Sequence, residues 1–291
     1  MIYFCADDYA LEKVSSERIA ECAKNGILNK VSVFPNFGDI DFEKFSGEKN
    51  VRLSLHLNLV EGKCMAEAKK IGLIADENGC FIHTFGGLLK SSILYGKRFY
   101  EQVYEEIRAQ VVFWKNALPE GVPLFIDSHQ HTHMIPKIFR ALIDVLENEN
   151  IEVGYLRIPA EPLMPFLKTP SLYATYSPVN IIKQWLLKFL WAVNKPIIRK
   201  KEIPTAYFFG ILFSGKMDRK RVEKILPHYI ALSEKHKMDT EVLFHPGYIE
   251  DNLLPDGKNI VFNKFYLSEN RKAEYDAVMN IRKEVFENAL Y

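Results

Sequence analysis

The chain alternates two hydrophobic periods. Residues 51–57, Val51-Arg52-Leu53-Ser54-Leu55-His56-Leu57, switch between apolar and polar at every step, the pattern of a strand with one buried face. Short β-rich runs at 2–6, 31–34, 123–126, 152–158, 206–213 and 241–244 predict six more strands. Between them lie stretches with helical spacing. Residues 15–25 place Ile19, Cys22 and Ala23 on one face and stop at Gly26. Residues 98–118 form a long amphipathic helix with Val103, Ile107, Val111 and Trp114 on one stripe. Further helices are predicted at 137–148, at 218–237 with a bend near Pro227, and at 268–290.

Strand and helix therefore take turns, about seven of each, and parallel strands need crossover helices of this kind. The fold class predicted is α/β, a distorted (β/α) barrel resembling a TIM barrel. No repeat or low-complexity linker divides residues 1–291, which read as one domain. Residues 60–95 lack clean periodicity and contain Gly62, Gly72, Gly79, Gly86 and Gly87, so they are taken as an irregular insertion over the fold. The apolar segment 179–193, with Trp185, Phe189 and Trp191, is interrupted by Lys183 and Lys188 and is too short to span a bilayer comfortably. It reads first as a packed core helix, and next as a homodimer contact or a hydrophobic lid.

Composition narrows the function class. Of 291 residues, 48% are hydrophobic and 26% charged, and the net charge is +1. Nothing there calls for a nucleic-acid partner. The four cysteines show no CxxC pair, and two aspartates follow the first apolar run at once. A cytoplasmic protein with reduced thiols is expected.

The chemistry gathers at strand ends. Asp127-Ser128-His129-Gln130-His131-Thr132-His133 carries three of the eight histidines directly after the apolar run at 123–126. Asp7-Asp8, His56, Arg157 and His245 also follow predicted strands. If the strands close a parallel barrel, these ends converge on one face, where active sites of such folds are built. Asp8, His56 and His129 supply a carboxylate and two imidazoles for a metal, leaving positions open for water and substrate. A metal lowers the pKa of its bound water from about 15.7 towards about 7 in the best zinc cases. Asp7 is then placed to accept a proton and His245 to donate one. His133 lies four residues after His129 and is a rival ligand if the segment is helical. Asp127 is expected to hydrogen-bond the site's histidines rather than to bind metal.

Taken in order, Ala6-Asp7-Asp8-Tyr9, Leu55-His56-Leu57-Asn58-Leu59, Asp127 to His133, Arg157-Ile158-Pro159 and Phe244-His245-Pro246-Gly247 resemble the motifs of the YdjC-like carbohydrate deacetylases, which include chitooligosaccharide deacetylases. The resemblance implies a barrel related to polysaccharide deacetylases and metal-dependent removal of acetyl from an N-acetylated sugar. By position, Asp8, His56 and His129 match the family's metal ligands, Asp7 its catalytic base and His245 its catalytic acid. Arg157 falls where an arginine orienting substrate or base belongs, and His131 and His133 are expected to contact substrate or steady the ligands. Magnesium is the metal often assigned in the family, whereas two imidazoles and a carboxylate suit zinc on ligand preference. Two departures stand out: Tyr9-Ala10 where Phe-Gly is usual, and Gln130 where a further histidine is common. Without glycine at position 10, the turn after Asp8 is expected to differ slightly.

Three other readings stay open. A phosphoesterase or an amidohydrolase on a similar barrel would normally show a His-x-His pair after the first strand, where this chain has Asp7-Asp8. A non-catalytic sugar-binding protein would not need Asp7 and His245 beside three ligands, and a structural protein that merely holds a metal would close the fourth position with another ligand.

Overall fold

A computed structural model describes residues 1–38, 40–47, 51–249 and 267–281. Its seven strands are β1 (Ile2–Tyr9), β2 (Lys30–Val33), β3 (Arg52–Leu57), β4 (Leu124–Ser128), β5 (Val153–Leu156), β6 (Tyr207–Phe209) and β7 (Thr240–Phe244). All pair in parallel, in the order β5-β4-β3-β2-β1-β7-β6. The sheet curls into a half-barrel. Across its interior the Tyr155 hydroxyl on β5 donates to Glu241 on β7. At the rim the Leu156 N–H donates to the Pro204 carbonyl, 2.9 Å away, just ahead of β6.

Eight α-helices connect and cover these strands among the described residues: α1 (Lys13–Asn25), α2 (Phe85–Leu94), α3 (Gly96–Ala117), α4 (Pro136–Asn148), α5 (Met164–Leu167), α6 (Pro178–Lys201), α7 (Arg219–His236) and α8 (Glu269–Asn280). Their starts follow local chemistry. The Glu12 carboxylate caps α1 by accepting the Ser15 N–H at 3.0 Å, and Pro136 opens α4 where no N–H is needed. On α3, Phe99, Val103, Ile107, Val111 and Trp114 form one buried stripe that packs on α4 and the sheet. Burial of such a stripe supplies most of a helix's stability in a folded protein.

Several expectations are corrected. The strand predicted at 206–213 shrinks to three residues, because Glu161 draws the next N–H groups away from any ladder: Gly210 at 2.6 Å, Ile211 at 2.7 Å and Leu212 at 2.9 Å. The stretch 60–95 is less irregular than its glycines suggest. It holds α2, capped by Thr84, and antiparallel bridges Lys63–Cys80 and Ala75–Phe81. The apolar segment is only half a core helix. On α6, Leu187, Leu190 and Ile198 are buried, while Val179, Ile182, Trp185 and Phe189 lie exposed. Pro227 falls inside α7, which runs from Arg219 to His236. Of the closing helix predicted at 268–290, the described part ends at Asn280, and 282–291 lie outside the described residues. No described helix is long and apolar enough to cross a membrane.

Candidate active site

Parallel pairing puts the C-terminal ends of β1, β3, β4, β5 and β7 on one face of the half-barrel, and the predicted site residues leave the sheet there. Strand β1 brings two adjacent carboxylates to the same place. Regular extended backbone would aim them at opposite faces. The register with β2 shifts between Ala6 and Tyr9, and Asp8 takes a left-handed φ of 74°, so both side chains stay buried at the strand end. Ala10 also sits at a positive φ, 73°. The chain thus keeps a glycine-like turn there with a methyl group in place.

Asp8 meets two imidazoles. Its Oδ1 lies 3.7 Å from His56 Nε2 and 3.3 Å from His129 Nδ1. One donor atom from each of the three residues lies within 4.8 Å of the others. His56 Nδ1 bonds Asp127 Oδ1 at 2.6 Å, which fixes the ring and turns Nε2 towards Asp8. That Nε2 is buried without a hydrogen-bond partner among the described residues, which fits a nitrogen shaped to hold a cation. The Phe34 ring packs against both imidazoles, at 4.8 and 5.0 Å between centroids. The donor set therefore fits a divalent metal with open positions.

Beside this group stands Asp7. Arg157 grips it with two parallel bonds, Nη1 to Oδ2 at 2.7 Å and Nη2 to Oδ1 at 2.8 Å. His245 leaves β7 next to it, because Ala6 pairs with Phe244 and each candidate follows its partnered residue. The backbone N–H of His245 donates to Glu274 Oε2 at 2.6 Å, and its Nδ1 lies 3.7 Å from the same oxygen.

The three residues expected to contact substrate or to orient the base and ligands are all buried. Arg157 is 0% exposed, and its guanidinium is held by Asp7 and Glu241 beneath the site. His133 is buried with both nitrogens engaged, Nδ1 by the Ser128 hydroxyl and Nε2 by the Arg157 carbonyl at 2.8 Å. It is neither in the ligand group nor open to a sugar. His131 is also buried, at a φ of 57°, against the edge of Phe208, and its Nδ1 has no partner among the described residues. The His129–Met134 turn contains left-handed residues at Gln130 and His131, which is why helical spacing misjudges His133.

Electrostatics separate the groups. Burial opposes ionisation of Asp8, but the facing imidazoles of His129 and His56, and the nearby Arg271, hold its carboxyl well below the usual range. Burial works against Asp7 too, and Arg157 then His56 outweigh it, so Asp7 is held low. For His56, burial disfavours the imidazolium, yet Asp7, Asp127 and Asp8 raise it to about 9. Burial pushes His133 down to about 4, and burial beside Lys183 and Arg157 holds His131 well below the usual range. An aspartate kept ionised beside a cation site can accept a proton.

Sequence reasoning missed Arg271 and Glu274. Both are buried on α8; Arg271 Nη2 lies 3.1 Å from Asp8 Oδ2, and Glu274 holds the His245 backbone. It also missed Lys30 and Glu241, charged residues fully buried inside the half-barrel. Their one legible signal is a charge within an otherwise β-rich run.

Comparisons with known proteins bear on the family and the fold. Residues 1–284 match the family of YdjC-like proteins. A carbohydrate deacetylase of Mus musculus is 24% identical over 247 residues, which cover 84% of this chain and 76% of the relative. One from Xenopus laevis is 28% identical, over 83% of this chain and 79% of the relative. One from Clostridium beijerinckii is 24% identical, over 64% of this chain and 73% of the relative. Among solved structures, a putative cellobiose-phosphate cleavage protein of Enterococcus faecalis V583 superposes with a TM-score of 0.67 at 16% identity, covering 99% of this chain and 94% of that one. At that identity the likeness speaks for the fold alone. The sequence match over nearly the whole chain decides the family: this protein belongs to the YdjC-like proteins.

Proposed function

We propose that this protein is a carbohydrate deacetylase that hydrolyses the N-acetyl group of an acetylated amino sugar, with a chitooligosaccharide such as diacetylchitobiose as the substrate type. The observation that carries the reading is the grouping of Asp8, His56 and His129 donor atoms within 4.8 Å, beside an aspartate clamped by Arg157. Relatives named carbohydrate deacetylase support the reaction class.

Asp8, His56 and His129 would hold a divalent cation. Two imidazoles with one carboxylate suit zinc, while the family resemblance points to magnesium, which prefers oxygen donors. Such a cation supplies Lewis acidity to the attacking water and to the acetyl carbonyl oxygen. The protein's own groups do the rest. Asp7, held ionised and aimed by Arg157, takes a proton from the water as its oxygen bonds to the acetyl carbon. His245, steadied by Glu274, gives a proton to the sugar nitrogen as the C–N bond breaks. Acetate and a free amino sugar leave. The two histidines open to the mouth of the site are His245 and His129, with side chains 18% and 13% exposed, so substrate approaches past them.

Incubation with short N-acetylated chitooligosaccharides tests the reading. Mass spectrometry should find acetate and the de-N-acetylated sugar in equal amounts. Sugars with every acetyl intact across the panel would overturn the assignment.

A further inference from the structure

Arg157, which aims Asp7, and Asp127, which fixes His56, belong to a larger group of buried charges whose other members, Lys30 and Glu241, have no part in the reaction above. Lys30 opens β2, Asp127 lies in β4, Arg157 follows β5 and Glu241 lies in β7. All four are fully buried. The Lys30 ammonium bonds Asp127 Oδ2 at 2.8 Å and Glu241 Oε1 at 2.9 Å. Arg157 reaches the same Glu241 oxygen through Nε at 3.0 Å and Nη2 at 2.6 Å. The Tyr155 hydroxyl donates to Oε2 of Glu241, and its ring lies 4.8 Å below the Lys30 ammonium. The Ser32 and Ser54 hydroxyls complete Asp127, each at 2.7 Å from Oδ2.

We propose that Glu241 and Lys30 are positioning residues for the hydrolysis, tying the base and a metal ligand into one rigid frame. The inference rests on the deacetylase reading for what the frame serves. Each end of the frame touches a reacting group. Through Arg157, Glu241 sets the angle at which Asp7 is presented. Through Asp127, Lys30 sets the orientation of His56. A stability role alone is a poor account of it. Burying this many charges costs desolvation that packed apolar side chains of similar volume would avoid. Three carboxylates, Asp7, Asp127 and Glu241, face two cations, Lys30 and Arg157. One negative charge is left over beside the Asp8–His56–His129 group, where it favours a cation. Glu241 also shares the guanidinium with Asp7. Without it, the whole positive charge would fall on Asp7 and weaken it as a base.

Three variants test this: Glu241→Gln, Lys30→Met and Tyr155→Phe, the last keeping every charge. Each is compared with wild type in thermal unfolding, divalent-metal affinity by competition with a chromogenic chelator, and steady-state acetate release. For Glu241→Gln, kcat should fall about a hundredfold with KM and metal affinity within threefold of wild type. Lys30→Met should bind metal roughly 10–100-fold more weakly. Tyr155→Phe should lower kcat several-fold in the same direction as Glu241→Gln, and it carries the test if a charge variant does not fold. Folded variants with kcat and metal affinity within twofold of wild type would overturn the proposal. If the wild type binds metal but cleaves no acetylated sugar, the functional reading fails instead, and the metal-affinity loss in Lys30→Met alone decides this one.

Discussion

Arg157 holds Asp7 by two parallel hydrogen bonds of 2.7 and 2.8 Å, although the two residues lie 150 positions apart in the chain. This clamp holds Asp7 ionised and fixed, as the proposed base should be, and leaves Asp8 as the carboxylate facing the imidazoles. Asp7→Asn should therefore lose about 10²–10⁴-fold in kcat, the usual range for a general base, while still binding metal. Metal affinity measured on that variant is the check. Loss of metal there would show that the roles of the two aspartates are exchanged.

His129 and His133 are separated by the same measurement. His129→Ala should lose most of its metal affinity, because its Nδ1 stands 3.3 Å from Asp8 Oδ1. His133→Ala should keep metal affinity within threefold. It should instead unfold more easily, by about 1–3 kcal/mol, since the Ser128 hydroxyl and the Arg157 carbonyl lose a buried partner. The reverse order of metal affinities would make His133 the ligand.

The donor of the leaving-group proton is tested by His245→Ala. Its kcat should drop by roughly 10²–10⁴-fold with metal binding intact. An acetylated substrate with a much better leaving group should recover much of that loss, because it needs no proton. An equal loss on both substrates would remove His245 from that role.

Glu161 links pH to stability. Burial raises its carboxyl from 4.5 to about 7, and the N–H groups of Gly210, Ile211 and Leu212 offset this only in part. The folded state therefore binds more protons than the unfolded chain between those values. Its stabilising contribution is complete below about pH 4.5 and is lost as pH rises through about 7, on the order of 3 kcal/mol in all. Glu161→Gln cannot ionise, so its urea-unfolding stability should change less between pH 5 and pH 8 than that of the wild type. An unchanged difference would contradict this.

Much of the site was legible because its residues follow short β-rich runs, and a parallel sheet must bring those ends together. Asp7, Asp8, His56, His129 and His245 all carry that mark. What stayed hidden depends on three-dimensional neighbours. Arg271 and Glu274 stand in the polar run Glu269-Asn270-Arg271-Lys272-Ala273-Glu274, where nothing local shows which charges turn inward. The Gly86-Gly87 pair disguises α2, since glycine weakens a helical pattern that packing then rescues. The spacing of His133 suggests a helix face, but left-handed backbone at Gln130 and His131 breaks that geometry. The turn after Asp8 shows the opposite case. Ala10 keeps a positive φ although its side chain disfavours one.

The most direct test of the central claim is a metal titration of chelator-stripped protein, with acetate release from diacetylchitobiose as the readout. Activity should be absent at the start, rise in proportion to added divalent metal, and level off at one ion per chain. An Asp8→Ala variant should stay inactive throughout. Full activity in the stripped protein, with chelator still present, would contradict the account.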